Sequence, residues 1–231
     1  MASGVRARHS RPVSTGQSHY FDERPPAGGG PEKVRRVELQ GREVEVRTAA
    51  GVFSGDRLDP GTAVLLRHAG PLPDEGDLLD LGCGWGPITL AMAAASPRAT
   101  VWAVDVNARA RELTAANARD NGLTNVRVRA PDELDAGATF TAVWSNPPIR
   151  IGKDALHALL LAWLPRLAPG GHAELVVQRN LGADSLHRWL EETLTEDLHV
   201  SRSASSKGYR VLAVDRDPVD PDPVDPADRR A

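Results

Sequence analysis

The sequence predicts an α/β fold in which a doubly wound, mostly parallel β-sheet is covered by helices on both faces. Short apolar runs and helical patterns alternate from residue 77 onward, which is typical of strand–helix–strand units. The apolar runs end in loops rich in Gly, Pro or Asp, at the edge where such sheets bind ligands. An alternating apolar pattern about Gly41 comes first and predicts a small N-terminal antiparallel hairpin.

The predicted elements follow one another along the chain without long gaps. Strands are predicted at residues 34–40, 42–48, 78–81, 101–105, 126–128, 140–144 and 173–177, with closing strands around Val200 and at 209–214. Helices are predicted at residues 87–95, 107–120, 153–167 and 183–195. Pro87 suits a first helical turn, and Asn107 is a good N-cap for the second helix. The Pro-Gly-Gly run at 169–171 is expected to stop the third helix.

The 231 residues, of which 41% are hydrophobic, suffice for one folded domain, predicted at residues 33–215. Residues 1–32 are rich in Gly, Pro and Arg and are predicted to form a disordered basic arm. Residues 216–231 repeat Asp and Pro and are predicted to form a disordered acidic tail. The net charge of −3 argues against bulk electrostatic binding of nucleic acid, although the arm is suited to contact phosphate.

Composition also excludes several classes of protein. The single Cys83 excludes a disulfide framework and a multi-cysteine metal site, and the seven histidines show no metal-binding spacing, so no metal is predicted. No apolar run approaches the roughly 20 residues that span a bilayer. No secretory signal follows Met1. A cytoplasmic protein without a membrane partner is expected.

The first chemical motif is the segment 80–86, Asp-Leu-Gly-Cys-Gly-Trp-Gly, at the end of the first parallel strand. Its glycines permit a tight turn and the close approach of a ligand. A dinucleotide fingerprint needs a third glycine at position 87, which is Pro87 here, and the lysine of a phosphate-binding P-loop is missing. The spacing therefore argues against NAD, FAD and nucleoside triphosphates.

Two carboxylates extend this motif. Asp105 ends the second strand, where a carboxylate can accept from both hydroxyls of a ribose. Asp132 follows the third strand and is placed to accept from an adenine amino group, although a structural role in the loop is equally compatible with the sequence. Because no cradle for phosphates is evident, a nucleoside without phosphates fits best, and S-adenosylmethionine is the predicted cofactor.

The most specific motif is Asn146-Pro147-Pro148-Ile149 after the fourth strand. Two prolines restrict the backbone, so that the Asn146 side-chain oxygen and the Pro147 carbonyl are expected to face the site. Two fixed acceptors can hold both hydrogens of an NH₂ group and aim its lone pair at a methyl donor, which is catalysis by positioning.

These motifs together resemble the class I S-adenosylmethionine-dependent methyltransferases. More narrowly, they resemble the small-domain family, which includes enzymes that methylate N2 of a guanine in 16S ribosomal RNA. The resemblance covers about residues 33–214 and includes the segments 51–62, 146–153 and 207–212. It implies a seven-stranded, Rossmann-like methyltransferase sheet, with residues 33–62 forming the hairpin and a segment that closes over the cofactor.

The resemblance also implies roles for individual residues. The implied cofactor-binding residues are Ser54, Thr62, Asp80, Gly82, Cys83, Gly84, Gly86, Asp105, Val106, Asp132 and Asn146. The implied catalytic residues are Asn146, Pro147, Pro148 and Ile149, and Arg150 and Lys153 are the implied contacts to RNA phosphate. Many related motifs have Tyr or Phe after the prolines, whereas Ile149 offers only apolar contact.

Three functions remain open at this stage. The leading hypothesis is methylation of an exocyclic amino group of RNA, most simply guanine N2 of 16S rRNA, with the 30S subunit or its RNA as partner. The alternative acceptor is a protein glutamine or a small-molecule amine. A third hypothesis is a cofactor-binding RNA accessory protein without turnover, which the intact Asn146-Pro147-Pro148 disfavours. The oligomeric state is not predicted.

Overall fold

The computed structural model describes residues 31–52 and 57–219, so Ser54, residues 1–30 of the predicted arm and residues 220–231 of the predicted tail lie outside the described residues. The strands are β1 Lys33–Leu39, β2 Arg42–Thr48, β3 Asp77–Leu81, β4 Thr100–Val104, β5 Val126–Arg129, β6 Phe140–Ser145, β7 Leu167–Gln178, β8 Leu198–Ser206 and β9 Tyr209–Arg216. The helices are α1 Pro60–His68, α2 Pro87–Ala95, α3 Ala108–Asp120, α4 Lys153–Trp163 and α5 Ala183–Thr193.

The main sheet has seven strands in the order β5-β4-β3-β6-β7-β9-β8. The pairs from β5 to β7 are parallel, and β9 runs antiparallel to both of its neighbours. The chain winds outward from β3 to β5 and then returns to β6 on the other side of β3. The mostly parallel seven-stranded fold predicted from the sequence is thereby confirmed, and the reversal of strand order places a ligand site between the carboxyl ends of β3 and β6.

Two apolar layers cover the sheet. Leu78 faces a cluster that includes Leu65 of α1, Met92 of α2 and Leu113 of α3. The next residue of the same strand, Leu79, faces a cluster that contains residues of α4 and α5. Successive strand side chains point to opposite faces, so both faces of β3 are buried, as a doubly wound sheet requires.

The predicted hairpin is confirmed as an antiparallel pair, β1 with β2. It is held against α3 by Asn117, whose side chain accepts from the Arg47 amide at 2.7 Å and donates to the Arg47 carbonyl at 3.0 Å. Glu32 forms an ion pair with Arg109 of α3 at 2.6 Å. The ordered contacts of the domain therefore begin at least one residue inside the predicted arm.

One helix was not predicted, and the bounds of three other elements differ from the sequence prediction. Helix α1 occupies part of the segment for which no helix was predicted. Helix α4 ends at Trp163 instead of continuing to residue 167, and β7 runs through the Pro-Gly-Gly residues that were expected to be a helix stop. Strand β9 continues to Arg216, which lies in the predicted tail and donates to the Leu167 carbonyl at 2.6 Å. Within the described residues no helix is long and apolar enough to cross a bilayer.

Candidate active site

A shallow cleft opens at the carboxyl ends of β3 and β6. Its lining residues are Asp59, Thr62, Gly82, Cys83, Gly84, Trp85, Pro87, Ile88 and Asn146. The glycine motif and Asn146, which are more than 60 residues apart in the sequence, therefore share one site. A larger groove lies between the hairpin and α2 but contains none of the predicted site residues.

The glycine loop is built on backbone hydrogen bonds to β4. The amides of Gly82 and Cys83 both donate to the Val104 carbonyl, at 2.8 and 3.1 Å. Gly82 and Gly84 have φ values of +82° and +59°, which an L side chain adopts only with strain. A Cβ added to either glycine would meet no protein atom within 4 Å. These two glycines therefore leave open space on the loop, where a ligand can approach the backbone.

Gly86 and Cys83 are placed differently. A Cβ on Gly86 would lie 3.0 Å from Thr114 Oγ1, so this glycine allows α3 to pack closely against the loop. Cys83 is buried, and burial together with the charges of Asp105 and Asp80 raises the pKa of its thiol well above the ordinary value. A neutral thiol is a poor nucleophile. The structure thus gives Cys83 and Gly86 packing contacts within the loop.

Asp80 is fully buried near the end of β3, just before the glycine loop. Its Oδ2 accepts from the Thr89 amide at 2.9 Å and from the Thr89 hydroxyl at 2.5 Å. Its Oδ1 has no hydrogen-bond partner among the described residues. Burial raises the pKa of Asp80 to about 7. A buried acceptor without a partner is costly, so the site is suited to a ligand that brings a donor, above all a cationic one.

Asp105 lies at the end of β4 and holds two loops together. One carboxylate oxygen accepts from the Gly84 amide at 3.0 Å, and the other accepts from the Asn107 amide at 2.8 Å. Burial raises the pKa of Asp105, and these two backbone hydrogen bonds oppose the shift. Each oxygen keeps a second lone pair, which a ribose hydroxyl can use. Val106 follows at the rim and is 39% exposed.

The segment after β6 makes a tight turn. Pro148 has φ −75° and ψ 75°, close to the values of an inverse γ-turn, and the Ile149 amide donates to the Pro147 carbonyl at 2.8 Å. The Pro147 carbonyl is therefore already an acceptor within the turn and keeps one lone pair for a substrate. Ile149 is half-buried and packs partly against the cluster that contains α4 residues.

The Asn146 side chain is fixed by α1. Its Nδ2 donates to Asp59 Oδ1 at 2.8 Å and to Thr62 Oγ1 at 3.0 Å. Neither the role of Asp59 in the site nor helix α1 was predicted from the sequence. The signal was present, because Asp followed by Pro at positions 59 and 60 is a typical N-cap and first helical residue.

Of the predicted residues, Thr62, Gly82, Cys83, Gly84 and Asn146 line the cleft, whereas Asp80, Gly86, Asp105, Val106 and residues 147–149 lie close in the chain to these or to β4 but are not in the lining. Asp132 is exposed on a 3₁₀ turn, Pro131–Glu133, which follows β5 two strands away from β3. Arg150 and Lys153 are exposed just after the Asn146 turn. In the described part of the chain no group of three or more His, Cys, Asp or Glu side chains is arranged to hold a metal ion.

Comparison with known proteins decides the family. Residues 43–213, which contain all of these site residues from Asp59 to Lys153, match the family described as Methyltransferase small domain. The chain belongs to the methyltransferase small-domain family. The resemblance drawn from the glycine and Asn-Pro-Pro motifs is thereby confirmed.

Members of the methyltransferase small-domain family differ in how much is known of them. Protein YbxB of Bacillus subtilis, described as uncharacterized, is 34% identical over 197 residues, which cover 84% of this chain and 96% of that protein. The ribosomal RNA small subunit methyltransferase C of Shewanella loihica is 35% identical over 177 residues, 74% of this chain and 49% of that enzyme. The chain spans about half the length of the ribosomal RNA methyltransferases that it matches.

Among solved structures, the chain matches the T. thermophilus 16S rRNA N2 G1207 methyltransferase (RsmC), described in complex with AdoMet and guanosine. The TM-score is 0.68 with 26% identity, and the match covers 83% of this chain and 52% of that one. A rRNA methylase from Streptococcus thermophilus matches with a TM-score of 0.51 and 18% identity, which supports the fold alone.

Proposed function

We propose that this chain transfers a methyl group from S-adenosylmethionine to an exocyclic amino group of RNA, namely N2 of a guanine in 16S ribosomal RNA. The observation that carries the proposal is the orientation of Asn146. Both donors of its amide group are used by Asp59 and Thr62, so the side chain offers the cleft only an acceptor oxygen. An acceptor at this position suits an amino group, which brings N–H donors.

The Pro147 carbonyl supplies a second acceptor beside Asn146. An NH₂ group held by these two oxygens has its orientation fixed before reaction, which removes much of the entropic cost of bringing two reactants together. The segment is rigid because two prolines restrict it and because Ser145, just before it, donates from its hydroxyl to the Leu81 carbonyl at 2.7 Å. These two acceptor oxygens, here called the clamp, are therefore held at the end of β6, which Ser145 links to β3.

The cleft residues fit S-adenosylmethionine. The free Oδ1 of Asp80 is suited to the ammonium group of the methionine portion, and Asp105 is suited to the ribose hydroxyls. The open sides of Gly82 and Gly84 let a ligand approach the backbone of the glycine loop. When bound, S-adenosylmethionine supplies a methyl group on a positively charged sulfur. The residues of the chain bind this cofactor and orient the acceptor.

RNA as the acceptor is supported by the relatives. Proteins named ribosomal RNA small subunit methyltransferase C are 30–35% identical to this chain over the matched region. The T. thermophilus structure, which matches best in fold among those described above, is of an enzyme named for guanine N2 and contains guanosine. Exposed Arg150 and Lys153 near the clamp are suited to RNA phosphates. A 16S rRNA substrate would place this activity in the cytoplasm.

The proposal is tested with purified protein and tritiated S-adenosylmethionine. The acceptors are separate pools of 30S subunits, naked rRNA, tRNA and total protein from a strain that lacks this gene. We expect label in the 30S or rRNA pool that digests to N2-methylguanosine. The Asn146→Ala variant should bind the cofactor and lose labelling by about 100-fold, because the acceptor is no longer oriented.

Other outcomes would overturn the proposal. Label in protein or in small molecules would assign another amine as the acceptor. Cofactor binding with no label in any pool would assign an accessory role without turnover. Wild-type labelling by the Asn146→Ala variant would remove the clamp from the mechanism.

A further inference from the structure

We propose that Asp59 is a positioning residue that fixes the Asn146 amide, so that the site accepts N–H donors and rejects lone-pair acceptors. The inference deepens the proposed function and rests on it. Asp59 lines the cleft beside Asn146, and its Oδ1 is already used as an acceptor by the Asn146 and Thr62 nitrogens. Its role is therefore to act through the side chain that it holds.

The hydrogen bonds leave the Asn146 amide no freedom to rotate. Asp59 Oδ1 accepts from Asn146 Nδ2 at 2.8 Å, and Thr62 Oγ1 accepts from the same nitrogen at 3.0 Å. An NH₂ group has two hydrogens, so both donors of Asn146 are occupied. Its oxygen accepts no hydrogen bond from the described residues, and the side chain is half-buried in the cleft wall.

A flipped amide would be strongly disfavoured at this position. The flip would place the Asn146 oxygen where the nitrogen lies, 2.8 Å from a carboxylate oxygen that has no hydrogen to donate. Two acceptors at that distance repel each other, and the buried pair would lose its hydrogen bond. Thr62 alone could not impose the choice, because a hydroxyl both donates and accepts. The carboxylate of Asp59 is therefore what determines which end of the amide faces the substrate.

Asp59 is itself held in place by the start of α1. The same Oδ1 accepts from the Thr62 amide at 2.9 Å, which caps the helix, and Pro60 occupies the first helical turn. Tyr209 packs against the same turn, since a Cβ on Gly61 would lie 2.9 Å from both the Tyr209 ring and Asp59 Oδ1. Burial and the negative charge of Asp59 raise the pKa of Tyr209, in keeping with this proximity.

The consequence is selectivity at the reacting group. An amide oxygen fixed toward the cleft accepts a hydrogen bond from an exocyclic amine. A ring nitrogen without hydrogen, or a carbonyl oxygen, has only lone pairs to present and would be repelled by that oxygen. A site built to receive a hydrogen-bond donor discriminates strongly against a group that lacks one, because its buried polar atom is then left unpaired. Asp59 thus sets the chemical class of the acceptor through the Asn146 amide.

Two substitutions separate this role from helix capping. Asp59→Ser keeps a good N-cap but is too short to reach Asn146, so we expect an intact fold and kcat lowered by about 100-fold. Asp59→Asn keeps an acceptor oxygen of the same reach, so we expect kcat within about tenfold of wild type. The dissociation constant for S-adenosylmethionine should change little in both. The matched control is Asp74→Ser, because Asp74 forms an exposed pair with Arg98 at the opposite edge of the sheet and should leave kcat unchanged.

A second readout does not depend on the RNA substrate. The side-chain NH₂ resonances of Asn146, assigned by their loss in Asn146→Ala, should exchange slowly with water in the wild type. They should exchange rapidly in Asp59→Ser and stay protected in Asp59→Asn. If the wild type labels another amine instead of RNA, the proposed function is wrong, and the Asp59 series is measured on that amine.

The inference is overturned by either of two results. One is an Asp59→Ser protein that retains wild-type kcat. The other is an Asp59→Ser protein whose kcat falls only together with its melting temperature and cofactor affinity, while the Asn146 resonances stay protected.

Discussion

The Thr114 hydroxyl of α3 donates a 2.9 Å hydrogen bond to the Gly84 carbonyl, which ties the glycine loop to the helix that follows β4. Asn117, one turn further along α3, donates to the Trp85 carbonyl at 2.8 Å and also holds the hairpin strand β2. The loop is therefore fixed from its outer side by α3 and open on its inner side. Gly82 and Gly84 therefore lie on the side that a ligand can approach, whereas Gly86 lies on the side that packs against α3.

Alanine substitutions at Gly82 and Gly86 should differ in their main effect. Gly82→Ala should chiefly weaken cofactor binding, and Gly86→Ala should chiefly lower the free energy of unfolding. Gly82→Ala places a methyl group in open space at a strained φ, so we expect it to cost about 1–2 kcal/mol of unfolding free energy. It should weaken S-adenosylmethionine binding by more than about tenfold, because the methyl group blocks the approach to the backbone. Gly86→Ala forces the methyl group against Thr114 and should cost about 3 kcal/mol through strain and overpacking.

Urea unfolding and calorimetric titration with S-adenosylmethionine measure the two effects separately. A Gly82→Ala protein that binds the cofactor normally would show that the open side of this glycine is not the binding surface. Thr114→Ser, which keeps the hydroxyl and removes the methyl group near Gly86, should partly restore the stability of Gly86→Ala.

The sheet was predictable because each parallel strand is a short apolar run that ends in a loop of special residues. The elements that escaped prediction depend on distant contacts. Gly61 lowers the helical propensity of the first turn of α1, and the structure shows why it is there, since Tyr209 leaves no space for a side chain. Residues 169–171 have the composition of a turn and, although β7 spans them, they lie in an irregularity of the β6–β7 pairing, between the pairs Phe140–Leu167 and Ala142–His172.

The grouping of the candidate site residues was predictable for a similar reason. The glycine loop, Asp80, Asp105 and Asn146 each follow a recognisable strand, and parallel strands bring their carboxyl ends together. The partner of Asn146 could not be predicted by this argument, because Asp59 precedes the sheet and reaches the cleft only through the packing of α1. The internal hydrogen bond of the Pro147 carbonyl depends on the γ-turn at Pro148, which the two prolines permit but do not by themselves specify.

Cofactor binding should be linked to the protonation of Asp80. Burial raises the pKa of this carboxyl to about 7, so in the free protein the neutral form becomes dominant below that pH. An ammonium group beside Oδ1 would favour the carboxylate and lower the pKa. Binding of S-adenosylmethionine near pH 7 should therefore release a proton, and its affinity should fall as the pH drops below about 7.

Titration calorimetry in two buffers of different ionisation enthalpy measures the released proton. Asp80→Asn should abolish the proton release and bind weakly at every pH. Without cofactor, the contribution of Asp80 to the free energy of unfolding should fall as the pH rises from about 4 through 7. The reason is that the raised pKa keeps the carboxyl protonated in the folded state over this range, whereas it ionises in the unfolded state. Proton release that persists in Asp80→Asn would assign the linkage to another group.

Arg150 and Lys153 should determine RNA affinity and not the chemical step. Both are exposed beyond the Asn146 turn. Replacing each with Ala should raise KM for RNA and reduce the slope of log KM against log salt by about 1 per lost phosphate contact. The kcat value and the affinity for S-adenosylmethionine should stay unchanged. Arg98→Ala, at the opposite edge of the sheet, is the control, and an equal effect there would indicate non-specific charge.

Stability at neutral pH should depend on His172 between β7 and β9. Its ring nitrogens lie 2.6 Å from Asp215 Oδ1 and 3.0 Å from Glu174 Oε1. The hydrogen bond to Glu174, and then that to Asp215, raise the pKa of His172 against an opposing effect of burial. Glu174 is 1% exposed and also accepts from Ser203 at 2.8 Å. A proton on His172 would therefore offset the charge of a buried carboxylate.

The sign of the pH effect follows from the direction of the shift. A histidine whose pKa is higher in the folded state stabilises the fold fully below the unfolded pKa of about 6.5. This contribution is lost as the pH rises through the raised folded pKa. The difference in unfolding free energy between the wild type and His172→Gln should therefore be larger at pH 6 than at pH 9, as measured by urea unfolding. His199→Gln removes a pair with Asp217 in which both side chains are more than half exposed, and it should show a smaller effect because water screens that pair. A difference for His172→Gln that is constant with pH, or that grows as the pH rises, would mean that the imidazole bridges the two carboxylates without gaining a proton.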